Sequence, residues 1–409
     1  MTYGRGEDGQ LGHGRADNEN KPLVVEALYG KEIDFVACGA EYTMAISSKR
    51  NEVWSWGWGD FGRLGHGDGN DLFIPKQIAS FAGVPIKLVA CGDCHTMVVS
   101  TVGDVFSFGR NQNGQLGSGC QLDSMIPQKI TSLAGQKVTH VGCGAEHTVC
   151  STAEGKVYAW GWGRYGNLGL GDCKDRDTPE LVQGALAGVN IKTVACGWRH
   201  SCAVSEKGEL YTFGWSKYGQ LGHGDNETCE QPKKVEGLGD KVVALVSGGW
   251  RHTMVADAEG RVYGWGWNQY GQVGNGSHVD ANKPVLICAG GLEKEKAKII
   301  VCGWKHSVAI TEGGDFYCWG RGVHGQLGHG DCMDSNVPRR LDCLSGTTCD
   351  ISTLRSTVKV PSTLQSIPAE ERYALVPENK PADVSYGLVP ENPTEKPDGG
   401  GALKKQKVV

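Results

Sequence analysis

No stretch of this 409-residue chain approaches the roughly 18 consecutive apolar residues a bilayer-spanning helix needs, and no charged-then-apolar leader opens it. The expectation is a soluble, intracellular protein with no membrane partner. An excess of positive charge is also missing: 41 Lys and Arg stand against 46 Asp and Glu, a net of −5, which disfavours a bulk-basic nucleic-acid binder. Catalytic signatures are absent too. There is no G-x-S-x-G elbow, no HExxH and no phosphate-binding loop, so nothing marks an enzyme or a bound cofactor. The sixteen cysteines form no paired CxxC set, and Cys91-Gly-Asp-Cys94 has no second pair to complete a zinc or redox site. Helical periodicity of 3.6 residues is nowhere sustained.

What the chain has is glycine, 62 residues of it, with 12 Trp against only 8 Phe. The glycines follow a repeat. An eleven-residue word begins at Gly4 (GRGEDGQLGHG), Gly57 (GWGDFGRLGHG), Gly109 (GRNQNGQLGSG), Gly161 (GWGRYGNLGLG), Gly214 (GWSKYGQLGHG), Gly266 (GWNQYGQVGNG) and Gly320 (GRGVHGQLGHG). The starts are 53, 52, 52, 53, 52 and 54 residues apart, a period that signals radial or stacked repeats. Between them lies a second word: CGAEYT from Cys38, CGDCHT from Cys91, CGAEHT from Cys143, CGWRHS from Cys196, GGWRHT from Gly248 and CGWKHS from Cys302. Short β-rich runs such as Lys156–Trp160 and Arg261–Trp265, bounded by Gly, Asp and Asn, allow about four strands per repeat. Seven four-stranded sheets that close on themselves leave only short edges, so the fold class is an all-β, seven-bladed β-propeller over residues 1–347.

The chain starts inside the first glycine-rich word. The first blade therefore lacks its His-Thr strand, and either the sequence is shortened at its start or the ring closes on an incomplete blade. Residues 348–409 read as a flexible tail with no Trp and no periodic segment. Two near-copies, Tyr373–Asn379 (YALVPEN) and Tyr386–Asn392 (YGLVPEN), stand in it as candidate docking peptides centred on Val376-Pro377 and Val389-Pro390.

Departures from the repeat point to function. The third position of the second word reads Ala40, Asp93, Ala145, Trp198, Trp250, Trp304, which puts indoles at equivalent points of three consecutive blades, where they should cluster. The fourth reads Glu41, Cys94, Glu146, Arg199, Arg251, Lys305, giving one ring face an acidic half and a basic half. Glu7, Asp8, Asp60 and Asp71 add to the acidic half and Arg321 to the basic, with Arg110 and Arg164 as exceptions. Complementary halves can meet a second copy about a twofold axis. Trp beside Arg also predicts cation–π stacking. Trp56, Trp160, Trp265 and Trp319, on the strand before the glycine-rich word, read mainly as packing residues. His95, His147, His200, His252 and His306, with Tyr42 in one blade, read as hydrogen-bonded structural groups, and the repeated Cys38, Cys91, Cys143, Cys196 and Cys302 as small buried thiols.

The GQLGHG and CGxxHT words resemble the regulator of chromosome condensation family of seven-bladed propellers. The run GWRHS, GWRHT, GWKHS, together with ERYALVPEN in the tail, resembles the UV-B photoreceptor branch found in plants. That resemblance implies a receptor without a bound cofactor, in the cytoplasm and nucleus, whose tryptophans absorb UV-B and whose salt-bridged homodimer then falls apart. It assigns Trp250 and Trp198 as principal chromophores, Trp304 as auxiliary, Trp58 as the interface aromatic completing the cluster around Trp250, and Trp56, Trp160, Trp265, Trp267 and Trp319 as residues passing excitation inward. It implies interface bridges from Arg251 to Asp60 and Asp71, Arg110 to Glu146, and Arg321 to Glu7 or Asp8. Arg199 and Lys305 join the same set, Lys305 standing where the family has Arg. It further implies that Val376-Pro377 and the propeller dock on the WD-repeat domain of the constitutively photomorphogenic E3 ubiquitin ligase, and that repressor propellers restore the dimer. The competing reading is a guanine-nucleotide exchange factor or a scaffold binding chromatin and histones, as in the family's eponymous member. It leaves the three indoles unexplained.

Overall fold

The computed structural model describes residues 1–345, which lie within the first of the two units, Met1–Cys349 and Asp350–Val409, into which the chain divides. Val376-Pro377 and Val389-Pro390 lie outside the described residues. Six four-stranded antiparallel sheets follow one another in the chain, each ordered as a simple meander. Blade 2 comprises Phe35–Cys38, Tyr42–Ser47, Glu52–Gly57 and Leu72–Gln77; blade 3 comprises Ile86–Cys91, His95–Ser100, Val105–Gly109 and Ser124–Lys129. Blade 4 is Val138–Cys143, His147–Thr152, Val157–Gly161 and Arg176–Leu181, and blade 5 is Ile191–Cys196, His200–Ser205, Leu210–Gly214 and Cys229–Lys234. Blade 6 is Val243–Gly248, His252–Asp257, Val262–Gly266 and Ala281–Leu286, and blade 7 is Ala297–Cys302, His306–Thr311, Phe316–Gly320 and Ser335–Arg340. Blade 1 holds two strands, Thr2–Gly4 and Glu19–Leu23, paired as the third and fourth strands of the other blades are. The architecture is the seven-bladed propeller of the expectation, with its first blade a fragment. No helix among the described residues is long and apolar enough to cross a membrane.

The glycine-rich word works by conformation. Gly161 has φ 95°, and a Cβ there would lie 2.6 Å from the Glu146 carbonyl oxygen, so only glycine lets the third strand leave the sheet at this point. The chain then returns across the neighbouring blade. Here it leaves a carbonyl, such as that of Gln115, which accepts hydrogen bonds from both Thr148 Oγ1 (3.1 Å) and Trp160 Nε1 (2.9 Å) in the next blade. Trp56, Trp265 and Trp319 do the same toward Gln10, Gln220 and Gln272, and all four indoles are buried. Their packing role follows from this double anchoring.

The repeated histidines complete the relay. His95 Nε2 lies 3.0 Å from Thr148 Oγ1, His147 2.9 Å from Ser201, His200 2.9 Å from Thr253 and His252 3.0 Å from Ser307, each one blade ahead. The hydroxyl proton is committed to the carbonyl, so Nε2 carries the imidazole proton and donates it. In blade 2 Tyr42 stands at this position: its hydroxyl donates to the His95 carbonyl at 2.7 Å and lies 3.0 Å from Thr96 Oγ1. The repeat cysteines carry the buried thiols expected, since burial raises each thiol above its ordinary range; taken as whole residues, Cys91, Cys143, Cys196 and Cys302 are half-buried and Cys38 is exposed. They end the first strand of each blade, the strand that meets its counterparts in the neighbouring blades, and Cys143 Sγ lies 3.5 Å from Ala90 O and Cys302 Sγ 3.3 Å from Ser247 O of the blade before.

Candidate functional site: an aromatic and charged ring face

The loops that carry the second word meet around one end of the ring. Their backbones bond in series: Asp93 N–H donates to Ala145 O (3.2 Å), Ala145 N–H to Trp198 O (3.0 Å) and Trp198 N–H to Gly249 O (3.1 Å). That series superposes the third positions of successive blades, as the repeat implied. The Trp198 and Trp250 ring centroids are 5.5 Å apart, and those of Trp250 and Trp304 are 5.3 Å apart, within aromatic contact range. Trp304, at the end of the row, is 62% exposed.

A second tier of rings comes from the glycine-rich words. Trp215 is 6.0 Å from Trp198, and Trp267 is 5.3 Å from Trp250. Tyr165, Tyr218 and Tyr270 interleave with them: Tyr165 lies 5.8 Å from Trp215, Tyr218 6.0 Å from Trp267, and Trp267 5.4 Å from Tyr270. Trp267 thus belongs to the face and not with the core tryptophans beside which the sequence placed it. Trp162, Trp215 and the three tyrosines were not singled out from the sequence. The signal was present, since aromatics occupy the second and fifth positions of the word in blades 4, 5 and 6 together.

Cations cover these rings. The Arg199 guanidinium stands 3.7 Å from the Trp198 centroid and that of Arg251 3.8 Å from Trp250, while Lys305 Nζ is 4.6 Å from Trp250 and 5.2 Å from Trp304. Arg251 also donates to Tyr218 OH at 2.7 Å and Arg199 to Tyr165 OH at 3.2 Å. Arg321 lies over Tyr270 at 4.9 Å. Burial, and then the like charges of Arg321 and Arg251, push the Lys305 ammonium below the usual lysine range.

The other half of the face is acidic and equally crowded. Burial, with Glu41, Asp71 and Glu7 nearby, raises the Asp8 carboxyl above its ordinary range despite the pull of Arg5. Arg5 is the local counter-ion, at 2.6 Å from Glu41, 2.9 Å from Glu7 and 3.6 Å from Asp8. Glu146, also raised by burial, accepts an ion pair from Arg110 of the same chain at 3.4 Å and a hydrogen bond from Asn113 at 3.0 Å. Asp71 Oδ1 accepts from Gly59 N–H at 3.0 Å, and the Asp60 carbonyl accepts from Arg63 Nε at 2.9 Å.

Arg63 is a functional-face residue that the sequence reading passed over. It stands where the other six words have Gln or Asn, which was the available signal. Fully buried, it stacks 3.6 Å from the Trp58 centroid and donates to Asp93 O at 3.1 Å. Trp58 makes no ring contact with Trp250 among the described residues, since the two belong to blades 2 and 6. Next to Arg63, Phe61 adopts φ 63°, a left-handed conformation unusual for an aromatic residue, and faces both Arg63 and Arg110.

Asp93 links the two halves. Its carboxylate accepts the Trp198 indole N–H at 3.3 Å, and burial followed by the charge of Glu146 raises it to about 6. The Trp250 indole N–H, in contrast, is buried with no acceptor among the described residues.

Comparison with known proteins agrees with this fold. The RCC1-like domain family matches residues 1–358. The Ultraviolet-B receptor UVR8 of Arabidopsis thaliana is 49% identical over 378 residues, 92% of this chain and 85% of that protein. Among solved structures, human WBSCR16 superposes with a TM-score of 0.73 at 26% identity, covering 83% of this chain and 92% of that one. Yeast RCC1 (Prp20) bound to Kap60 gives 0.74 at 23% identity, with 84% and 83% covered, a likeness of fold. A repeat period of 52 to 54 residues, a meander of four strands per period and a family match over most of the chain agree, and this chain belongs to the RCC1-like propeller family, as a relative of the plant ultraviolet-B receptor.

Proposed function

We propose that this chain is a UV-B photoreceptor whose own tryptophans are the chromophore and whose homodimer separates on illumination. The observation that carries the reading is the Trp198–Trp250–Trp304 row, at 5.5 and 5.3 Å spacing, roofed by Arg199, Arg251 and Lys305. Rings this close share excitation. An excited indole is an electron donor, and cations within 4 to 5 Å of its face feel any charge it loses.

Electrostatics supports the dimer. In a single chain the basic half crowds Arg251, Lys305 and Arg321, and the acidic half crowds Asp8, Glu41 and Asp71. Like charges stand together in each half, with Arg5 offsetting part of the acidic set, and a second copy turned about a twofold axis sets the two halves against each other. In that arrangement Arg251 meets Asp60 and Asp71, Arg321 meets Glu7 or Asp8, and Trp58 of one copy approaches Trp250 of the other. Arg110 and Glu146, already paired within the chain, join by exchanging partners. A polar interface of this kind is sensitive to small charge changes, because its energy is a difference between desolvation and attraction. The separated monomer then presents the ring face, with Val376-Pro377, to the WD-repeat domain of the E3 ubiquitin ligase, and repressor propellers reverse the change.

The test is size-exclusion chromatography of dark-kept protein before and after narrow-band UV-B in low-salt buffer. A dark dimer that elutes as a monomer after light is the expected result. A folded sample whose elution ignores light would return the chain to the exchange-factor and scaffold functions of its wider family.

A further inference from the structure

The first strand of each blade ends at the aromatic face, where the second word begins, and starts at the opposite end of the ring. In blades 3, 4 and 5 these strands are Ile86–Cys91, Val138–Cys143 and Ile191–Cys196, and each lies against the next. Residues near their starting ends are therefore neighbours, far from the indole row.

Three basic side chains meet there. Lys87 and Lys192 hold the second position of their strands and are exposed; blade 4 has Thr139 in that place, and its basic residue, His140, follows directly. Lys87 Nζ crosses to blade 4 and donates to Thr139 O at 3.0 Å, which uses one of its three ammonium protons. Thr139 Oγ1 donates to Ser151 O at 3.2 Å and so accepts from His140 Nδ1 at 3.3 Å. Nε2 is then the nitrogen that takes up a proton when the imidazole charges. Burial, and after it the ammonium groups of Lys87 on one side and Lys192 on the other, hold His140 below the ordinary histidine range, and no carboxylate offsets them. Acids on the hairpins at this end of the ring are committed elsewhere: Asp104 pairs with Lys129 and Glu209 with Lys234, each at 2.7 Å. In a chain of net charge −5, three basic groups gathered without a counter-ion are a departure that an anion from outside would relieve.

We propose that Lys87, His140 and Lys192 form a binding site for a small multivalent phosphate, at the end of the ring away from the aromatic face. A phosphoryl group offers more oxygens than a carboxylate does to donors that converge from three blades. Lysine serves such a ligand as a point charge, and a charged imidazole adds a directed N–H. Linked phosphoryl groups, rather than one, match a basic set spread over three adjacent strands. The bound anion turns mutual repulsion into shared attraction and ties the three strands together. None of the three residues belongs to the aromatic face, so the inference is independent of the light response.

The probe is sodium tripolyphosphate, titrated by calorimetry into the full chain in low-salt buffer. Saturable one-to-one binding and a raised Tm are expected. Lys87→Ala and Lys192→Ala should each weaken binding about fivefold, and the double variant about twentyfold or more. Lys156→Ala and Lys207→Ala remove the same charge from exposed hairpin positions at the same end of the ring, and should change affinity by less than about twofold. All four lysines are exposed, so the variants keep the fold. By NMR the His140 imidazole should hold its proton to higher pH when tripolyphosphate is bound, because a nearby anion favours the charged ring; His140→Gln identifies that signal by its loss. Absence of saturable binding overturns the proposal. So do losses at Lys156 and Lys207 equal to those at Lys87 and Lys192, which mean diffuse attraction. Citrate binding as tightly as tripolyphosphate, with the same dependence on Lys87 and Lys192, also overturns it, since the patch would then take any polyanion.

Discussion

Trp198 of blade 5 donates its indole N–H to Asp93 of blade 3 at 3.3 Å, reaching past blade 4 because the intervening third-position residue is Ala145. The bond joins the chromophore candidate of the basic half to a carboxylate of the acidic half, and the first prediction concerns its protonation. Folding raises Asp93 from the ordinary 3.8 to about 6. A carboxyl raised on folding contributes stability that is fully present below its unfolded pKa and lost as pH rises through the folded one. Asp93→Asn keeps an acceptor for Trp198 and removes the titration. Its stability relative to the parent should therefore improve by about 1.4 kcal/mol between pH 5 and pH 7.5, read from urea midpoints.

The relay histidines oppose that trend and exceed it. Burial depresses His95, His147 and His252 to about 3 and His200 and His306 to about 4. Each stays neutral in the fold while the unfolded chain takes up a proton below about 6.5, so stability falls as pH drops from there toward the folded values. The cost is about 1.4 kcal/mol per pH unit for each imidazole. Circular dichroism should show cooperative unfolding between about pH 6 and pH 4, and a midpoint below pH 3 would contradict the neutral relay.

Trp250 lies at the centre of the indole row and Trp304 at its exposed end. Trp250→Phe should leave the dark dimer intact and abolish its separation by UV-B, whereas Trp304→Phe should only reduce the yield. Elution after a fixed UV-B dose distinguishes them, and a Trp250→Phe protein that still separates would refute the chromophore assignment.

Arg251 spans Trp250 at 3.8 Å and Tyr218 OH at 2.7 Å. Arg251→Ala should give a monomer in the dark. Arg251→Lys keeps the charge without the planar fork, and should weaken the dimer by roughly tenfold or more, measured by dilution in analytical ultracentrifugation.

Arg63 is fully buried between Trp58 and the Asp93 carbonyl. Restoring the repeat residue, Arg63→Gln, shortens the side chain and removes the cation under Trp58. A loss of about 2 kcal/mol in urea unfolding is expected, with a change in Trp fluorescence that Gln115→Asn, a polar change at the same point of another word, should not reproduce.

Much of this protein was legible in one dimension because the fold is written seven times. Gly57, Gly109 and Gly161 recur where the backbone needs positive φ, and the His-Thr pairs recur where one blade grips the next, so period and strand number followed from spacing. The indole row and the two charged halves could be read for the same reason: ring symmetry turns equal positions in the repeat into neighbours in space. What the repeat does not encode is which side chains reach between blades, because reach depends on the size of the residue in between. Trp198 meets Asp93 only over Ala145, and Trp267 joins the face, not the core, because its strand ends there. Local spacing determined the blades and their loops; only the tertiary structure decided which groups those loops bring within bonding distance, since packing at a ring's mouth and at its seam is fixed by contacts between blades.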